Sequence, residues 1–408
     1  MLGKNMKYDF NEIIDRKNTN SFNTDGFRKY IFHADADMEF DCKDDEFIRM
    51  WVADMEFAVA PEIRKAMIDR IDRKIFGYTE ISDPEYFKAF TDWCLKRYNW
   101  SVDKDEISFS PGIVPALFQL VEDILAKNEK FIILTPSYGS FKSAAIYNGI
   151  ECVYCELINN NGYYSIDFEH LETLAQMDDV HMLIFCNPHN PTGRVWSRAE
   201  LQKVASIAEA NDLWIISDEI HCDITRKGIS HTPMGVIMPD YKKLITCMSA
   251  SKTFNLAGLM MSEIIIRDPA ERSIFRSRDK LFGMVNPISV EAHKAAYTKC
   301  DEWLSQLRDY LDSNFRFTEQ YIKENLPNAV FKIPEATYLA WIDLREYFNN
   351  DEDIALFMAE RAGVLLESGN TQFVDNAKGF IRLNLAMPRS MLEEGLRRIS
   401  ESIVSKKQ

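Results

Sequence analysis

Glycine and proline are scarce, with 16 and 14 in 408 residues. That excludes a collagen-like, low-complexity or linker-dominated chain. No apolar stretch approaches the roughly 20 residues that a membrane span needs. The N-terminus, MLGKNMKYDFNE, carries charges but no apolar segment, so no signal peptide is expected. Positive charge is in deficit: 48 Lys and Arg stand against 63 Asp and Glu, a formal net charge of −15. Nucleic acids and anionic membranes favour basic patches, so neither is an expected partner. No H-E-x-x-H or G-x-S-x-G occurs, which argues against a metal hydrolase or a serine-triad enzyme. No G-x-G-x-x-G follows a strand, which disfavours a nicotinamide dehydrogenase.

Cysteine is present but unorganised. The eight residues show no framework of close spacings. In a chain this long they read as reduced thiols in a reducing compartment, and the expected location is the cytoplasm. Cys152 and Cys155 form one C-x-x-C, but no second pair or nearby His completes a zinc site. They read as two thiols in a strand, and no metal is expected.

What remains is an ordered globular composition, 46% hydrophobic and 12% aromatic. The length suits one large domain with a smaller partner. Strand-length apolar runs recur at 131–134, 182–186, 213–216 and 244–248. Between the second and third lies SRAELQKVASIAEAND. There Ser197 and Glu200 form a capping box, and Leu201, Val204, Ala205 and Ala208 make a helical stripe. Strand, helix and strand at about 30-residue intervals predict βαβ units and a mostly parallel sheet, an α/β fold. The C-terminal part reads as an α+β module: helix 303–325, strand 338–343, helix 353–362, the run GFIRLNLAMP, then helix 390–404. The expected division is a large domain over 61–295 and a small one from 1–60 with 296–408.

In open α/β sheets, ligands bind beyond the carboxyl ends of the strands. Those ends carry TPSYGSF, NPHNPTG, SDEIH and SASKTF. They supply Tyr138, Asn190, Asp218, and Ser249 with Lys252. A lysine whose amine is kept free can form a Schiff base with an aldehyde. An Asp at a neighbouring strand end can hold a protonated pyridine nitrogen and make the ring an electron sink. Asn190 can donate to a phenolate oxygen on that ring, and Tyr138 can stack on its face. SPGIVPAL offers a helix N-terminus for a phosphate, with Pro111 at the first turn, Gly112 permitting close approach, and a helix through about Ala126. Each motif alone is an ordinary turn or cap. Their joint occurrence, in order and at strand ends, is not.

These motifs resemble those of fold-type I pyridoxal-phosphate enzymes in the class I/II aminotransferase superfamily. WVADMEF and KTFNLAGL resemble the cystathionine β-lyase/C–S lyase branch of the MalY/PatB type. The resemblance implies the type I fold of these transferases, pyridoxal 5′-phosphate as cofactor, and β-elimination from a thioether amino acid. By the same resemblance, Lys252 is the covalent anchor and general base, Asp218 the pyridinium partner and Asn190 the phenolate donor. Tyr138 matches the stacking ring. Gly112, Ile113 and Ser249 match the phosphate cradle. Arg382, in FIRLNLAMP, matches the clamp on the substrate α-carboxylate, a role that suits its planar fork. Tyr78, in GYTE, resembles a tyrosine that reaches the neighbouring subunit's phosphate, which implies a homodimer with a shared site.

Three positions depart from the wider superfamily. Met260 stands where general aminotransferases usually carry a phosphate-binding Arg, as lyase-branch members commonly lack it too. His221 stands where many have a phenolate-donating Tyr, and is taken as a cofactor contact. Glu56 replaces the second Asp of WVADMDF. Two alternatives stay open: an aminotransferase, which shares the cofactor machinery, and a regulatory binding protein that retains the cofactor.

Overall fold

The apolar runs of the middle of the chain become adjacent strands of one sheet. The structure, a computed structural model, describes residues 7–278 and 285–406. The sheet has seven strands: β1 (Ile107–Ser110), β2 (Lys130–Thr135), β3 (Glu151–Glu156), β4 (Val180–Cys186), β5 (Trp214–Asp218), β6 (Leu244–Met248) and β7 (Ser262–Ile266). Their spatial order is β1-β7-β6-β5-β4-β2-β3. The neighbours from β6 to β3 are parallel, and β7 runs antiparallel to both β6 and β1.

Alternation along β2 sets the layers. Phe131 and Ile133 face one core, and Ile132 and Leu134 face the other. The first core is closed by helix α2 (Ile113–Ile124), which follows α1 (Pro84–Tyr98), and the second by α3 (Arg198–Ala210). Ala116, Leu117, Leu120 and Val121 of α2 recur at helical spacing on its buried face. Each fully buried Leu or Val contributes about 1.5–3 kcal/mol. Helix α3 starts at the capping box expected from sequence: the Glu200 N–H donates to Ser197 Oγ at 3.3 Å, and the Ser197 N–H to Glu200 Oε2 at 2.7 Å. Thus the sheet is mostly parallel and flanked by helices, the α/β architecture read from the sequence.

The strand expected around Cys152 and Cys155 is β3, whereas β1 and β7 have no counterpart among the apolar runs. β1 lies at a sheet edge, where fewer positions need be apolar. β7 begins with Ser262 and Glu263, which broke the apolar run. Helix α2 begins at Ile113 with Gly112 as its N-cap, so Pro111 precedes the helix instead of opening its first turn, and the helix ends at Ile124.

The C-terminal module holds α4 (Asp301–Asn325), β8 (Leu339–Asp343), α5 (Ile354–Ala362), β9 (Glu367–Ser368), β10 (Phe380–Asn384) and α6 (Arg389–Lys406). Its sheet is antiparallel, in the order β8-β10-β9. Phe27, Phe47, Met50 and Trp51 from the N-terminal segment share its core with Ile342, Met358, Leu383 and Leu396. Helix α4 belongs to both cores. Trp303, Leu304, Leu307 and Leu311 pack in one core with Phe90 and Trp93 of α1, and Phe315 and Ile322 in the core of the C-terminal module.

Candidate active site

A cavity of about 270 Å³ opens beyond the carboxyl ends of the parallel strands, between the seven-stranded sheet and the C-terminal module. Lys252, Asp218, Asn190, Tyr138, Gly112, Ile113, His221 and Arg382 all line it. They come from elements far apart in sequence, and the parallel strand order gathers them.

Asp218 ends β5. In register it stands between Cys186 of β4 and Cys247 of β6. Its carboxylate accepts the Ile220 N–H at 3.2 Å. Burial raises its pKa from 3.8 to about 6, against the pull of that N–H and of Lys252. A buried carboxylate this short of partners suits a cationic nitrogen.

Lys252 sits in the helical turn Ala250–Thr253 after β6. Its Nζ donates to the Ala53 carbonyl at 2.8 Å. Burial lowers its pKa, and the Arg382 charge works the same way, while Asp54, Asp218 and Glu367 oppose them. The net effect favours the free amine that addition to an aldehyde requires. Ala53 also accepts the Tyr338 hydroxyl at 2.7 Å. Asn255 braces the next residues of the same segment: it accepts the Met55 N–H at 2.9 Å and donates to the carbonyls of Met55 and Phe57 at 2.9 and 3.0 Å.

Arg382 is 2% exposed, in the middle of β10. Its Nη1 donates to Asn190 Oδ1 at 3.0 Å and its Nη2 to the Trp51 carbonyl at 3.2 Å. In register it faces Glu367 of β9, and the two form a buried ion pair. Burial raises the Glu367 pKa, while Arg382 and a hydrogen bond from Tyr30 hold it down. Because Asn190 Oδ1 is committed to Arg382, its amide N–H₂ is the end left to meet a phenolate oxygen.

The first helical hydrogen bond of α2 runs from the Ala116 N–H to the Gly112 carbonyl. The N–H groups of Ile113 and Val114 precede it, at a cavity wall that suits a phosphate. Gly112 is extended at φ 177°, which any residue adopts. A Cβ there would touch only Pro115, at 3.4 Å. His221 is buried and neutral, its pKa lowered to about 3, first by desolvation and then by Lys252 and Arg382. Its Nδ1 has no hydrogen-bond partner among the described residues, and its ring lies edge-on to Tyr338.

Two expected site residues stand apart. Ser249 does not line the cavity: its Oγ donates to the Met261 carbonyl at 2.8 Å and accepts the Ser251 N–H at 3.0 Å. The N-cap role consumes the hydroxyl, and Ser251 lines the cavity instead. Tyr78 is 98% exposed and reaches nothing in its own chain's cavity. Of the departures, Met260 is exposed in a left-handed conformation (φ 50°), and its neutral thioether adds no cation. Glu56 is buried, accepting Arg16 at 3.0 Å and Asn23 at 2.9 Å. It ties the N-terminal segment to the loop that carries Ala53.

Sequence reasoning missed Glu367, Tyr30, Phe22 and the Ala53 carbonyl, all of which line the cavity. Glu367 follows an apolar run in VLLESG, which marks a strand but not its partner. Tyr30 and Phe22 lie in a segment whose place over the site depends on the core of the C-terminal module.

A family model described as aminotransferase class I and II matches residues 46–399. The chain belongs to this family. Among curated members it resembles cystathionine beta-lyase PatB of Bacillus subtilis (strain 168), 37% identical over 87% of this chain and 92% of that one. Among solved structures, the pyridoxal-phosphate-bound C–S lyase of Staphylococcus hominis superposes with a TM-score of 0.92 and 46% identity, covering 98% of this chain and 99% of that one. Cystalysin of Treponema denticola, which contains a pyridoxal 5′-phosphate cofactor, gives 0.92 and 35%, covering 99% and 100%. Members of this family at this similarity share the type I fold, and the architecture here is that fold.

Proposed function

We propose that the protein is a pyridoxal-phosphate-dependent carbon–sulfur β-lyase. It cleaves L-cystathionine or related cysteine S-conjugates to a thiol, pyruvate and ammonia, the thiol from cystathionine being homocysteine. One observation carries this reading. A depressed-pKa lysine, a buried carboxylate and a buried arginine open into one cavity beside a helix N-terminus. The relatives named above supply the choice of elimination.

The residues fit the cofactor. Lys252 would anchor it, Asp218 would hold its ring nitrogen protonated, and Asn190 would donate to its phenolate. His221 stands within reach of the same pocket with an uncommitted ring nitrogen. Tyr138 would cover a ring face, and the α2 amides with Ser251 would receive the phosphate. When bound, pyridoxal phosphate supplies the aldehyde carbon and the electron-withdrawing ring.

The chain's own groups then divide the work. Arg382 holds the substrate carboxylate in a plane fixed by Asn190 and Trp51. Lys252 Nζ, as the free amine, would be the base that takes the Cα proton. The thiolate leaves from Cβ. Burial of the pocket limits water until the product is released, and hydrolysis then gives pyruvate and ammonia.

The second subunit completes the site in this reading. Ile71, Ile75, Phe76 and Tyr78 form an exposed apolar stretch, which favours burial against another copy. Tyr78 is the residue proposed to reach the partner's phosphate. The eight free thiols suit a cytoplasmic protein.

The test is incubation with L-cystathionine. Pyruvate and free thiol without any added keto acid support the lyase. Strict dependence on a keto acid would instead identify an aminotransferase. Lys252→Ala should abolish turnover and the visible absorbance of the loaded enzyme. Near-native elimination by that variant would refute the assignment.

A further inference from the structure

Lys252 has a neighbour whose hydroxyl is tied to a carboxylate outside the cavity. Thr253 is fully buried, and its Oγ1 donates to Asp223 Oδ2 at 3.1 Å. Asp223 is 3% exposed. Its other oxygen receives the Tyr98 hydroxyl, and Arg97 Nε lies 2.8 Å from that oxygen as an ion pair. Three segments converge on this carboxylate: the end of α1, the loop after β5, and the turn after β6.

The placement is economical in chain length. Asp223 follows Asp218 by five residues, and Thr253 follows Lys252 directly. The intervening loop is pinned as well. The Glu219 N–H donates to the Cys247 carbonyl at 2.9 Å, and the Cys222 N–H to the Glu219 carbonyl at 3.0 Å. The link from Asp223 to Thr253 therefore closes a short ring, over 219–223 and 247–253, that contains Lys252 and begins at the residue after Asp218. Packing alone would not need a charge here, since a buried carboxylate is costly unless paired and hydrogen-bonded. A directed hydrogen bond fixes the orientation of the turn, which apolar contact would not.

We propose that Asp223 is a positioning residue: acting through Thr253, it fixes the Lys252 amine relative to Asp218. The inference rests on the reading of Lys252 as the cofactor anchor. Asp223 does not line the cavity and touches no reacting atom.

Thr253→Val removes the hydroxyl at nearly constant shape, and Thr253→Ser keeps it. With L-cystathionine, Thr253→Val should lower kcat about tenfold or more, because small misplacements at a reacting group are costly. KM should stay within about twofold, since Arg382 is untouched. The pH midpoint of the loaded enzyme's visible absorbance, which reports the linked lysine, should move. Thr253→Ser should restore both to near wild type. A Thr253→Val protein with wild-type kcat and an unmoved midpoint overturns the proposal, whatever its thermal stability. If that variant does not fold, Asp223→Asn is read by the same two measurements with the same outcomes. Wild-type protein that stays colourless with pyridoxal phosphate would sink the anchor reading instead, and the two failures are thereby distinct.

Discussion

Asn190 and Arg382 lie 192 positions apart and are joined by one hydrogen bond, in which the guanidinium donates to the amide oxygen at 3.0 Å. The bond couples the proposed cofactor contact to the proposed substrate clamp. The amide's direction is set by the same group that would receive the substrate.

Arg382→Lys should therefore harm both functions. An ammonium cannot reproduce the planar fork or keep Asn190, Trp51 and a carboxylate together. A lost charge-assisted hydrogen bond is worth about 1.5–3 kcal/mol, so kcat/KM for L-cystathionine should fall about 10- to 100-fold, mostly through KM. Steady-state kinetics on the loaded enzyme measures this.

Removal of the partner charge should act on stability first. Glu367→Ala leaves the Arg382 guanidinium buried without its counter-ion. Breaking such a pair from one side costs about 3–5 kcal/mol. The urea midpoint should drop clearly, and Glu367→Gln, which can still accept from Tyr30, should lose less.

The acid at 218 predicts a pH dependence of the cofactor-free protein. Its folded pKa, about 6, lies above the ordinary 3.8. The folded state thus holds that proton more tightly than the unfolded chain does. Its contribution to stability is present below about 3.8, fades as the pH rises through about 6, and is absent above. Asp218→Asn carries no such titration. The stability difference between wild type and Asp218→Asn should shift against wild type across that window, as chemical unfolding at several pH values would show. Cofactor binding by wild type should strengthen over the same rise, because the ionised carboxylate is the form that pairs with a protonated ring nitrogen.

Gly193, in NPTG, has φ +68°, and a Cβ there would overlap Pro334. Its N–H donates to the His189 carbonyl at 2.7 Å, and its carbonyl accepts the Ala336 N–H at 2.9 Å. Gly193→Ala has no room on either count, so a loss of about 1–3 kcal/mol is expected from backbone strain alone. Cofactor affinity should fall with it, since Asn190 is in the same loop. Thermal unfolding and a cofactor titration would report the two effects separately.

Much of the site was legible because parallel strands are buried on both faces and read as continuous apolar runs. Their ends carry Tyr138, Asn190, Asp218 and Lys252, all of which line the cavity. The same logic failed for β7, where Ser262 and Glu263 interrupt the run. The sequence points to Ser249 for the phosphate, because only the cap geometry shows that its hydroxyl is consumed. Glu367 was invisible because its meaning lies in the register with Arg382, which no local pattern encodes. Tyr78 is almost wholly exposed, so packing among the described residues does not define its role.

Helix α4 has a mechanical implication. Its 25 residues run as one uninterrupted rod, with Leu307 and Leu311 sunk in one hydrophobic mass and Phe315 and Ile322 in the other. Loosening either mass withdraws support from the shared rod, and so from its neighbour. Heating should therefore melt both parts in a single cooperative step, with no stage at which one survives alone.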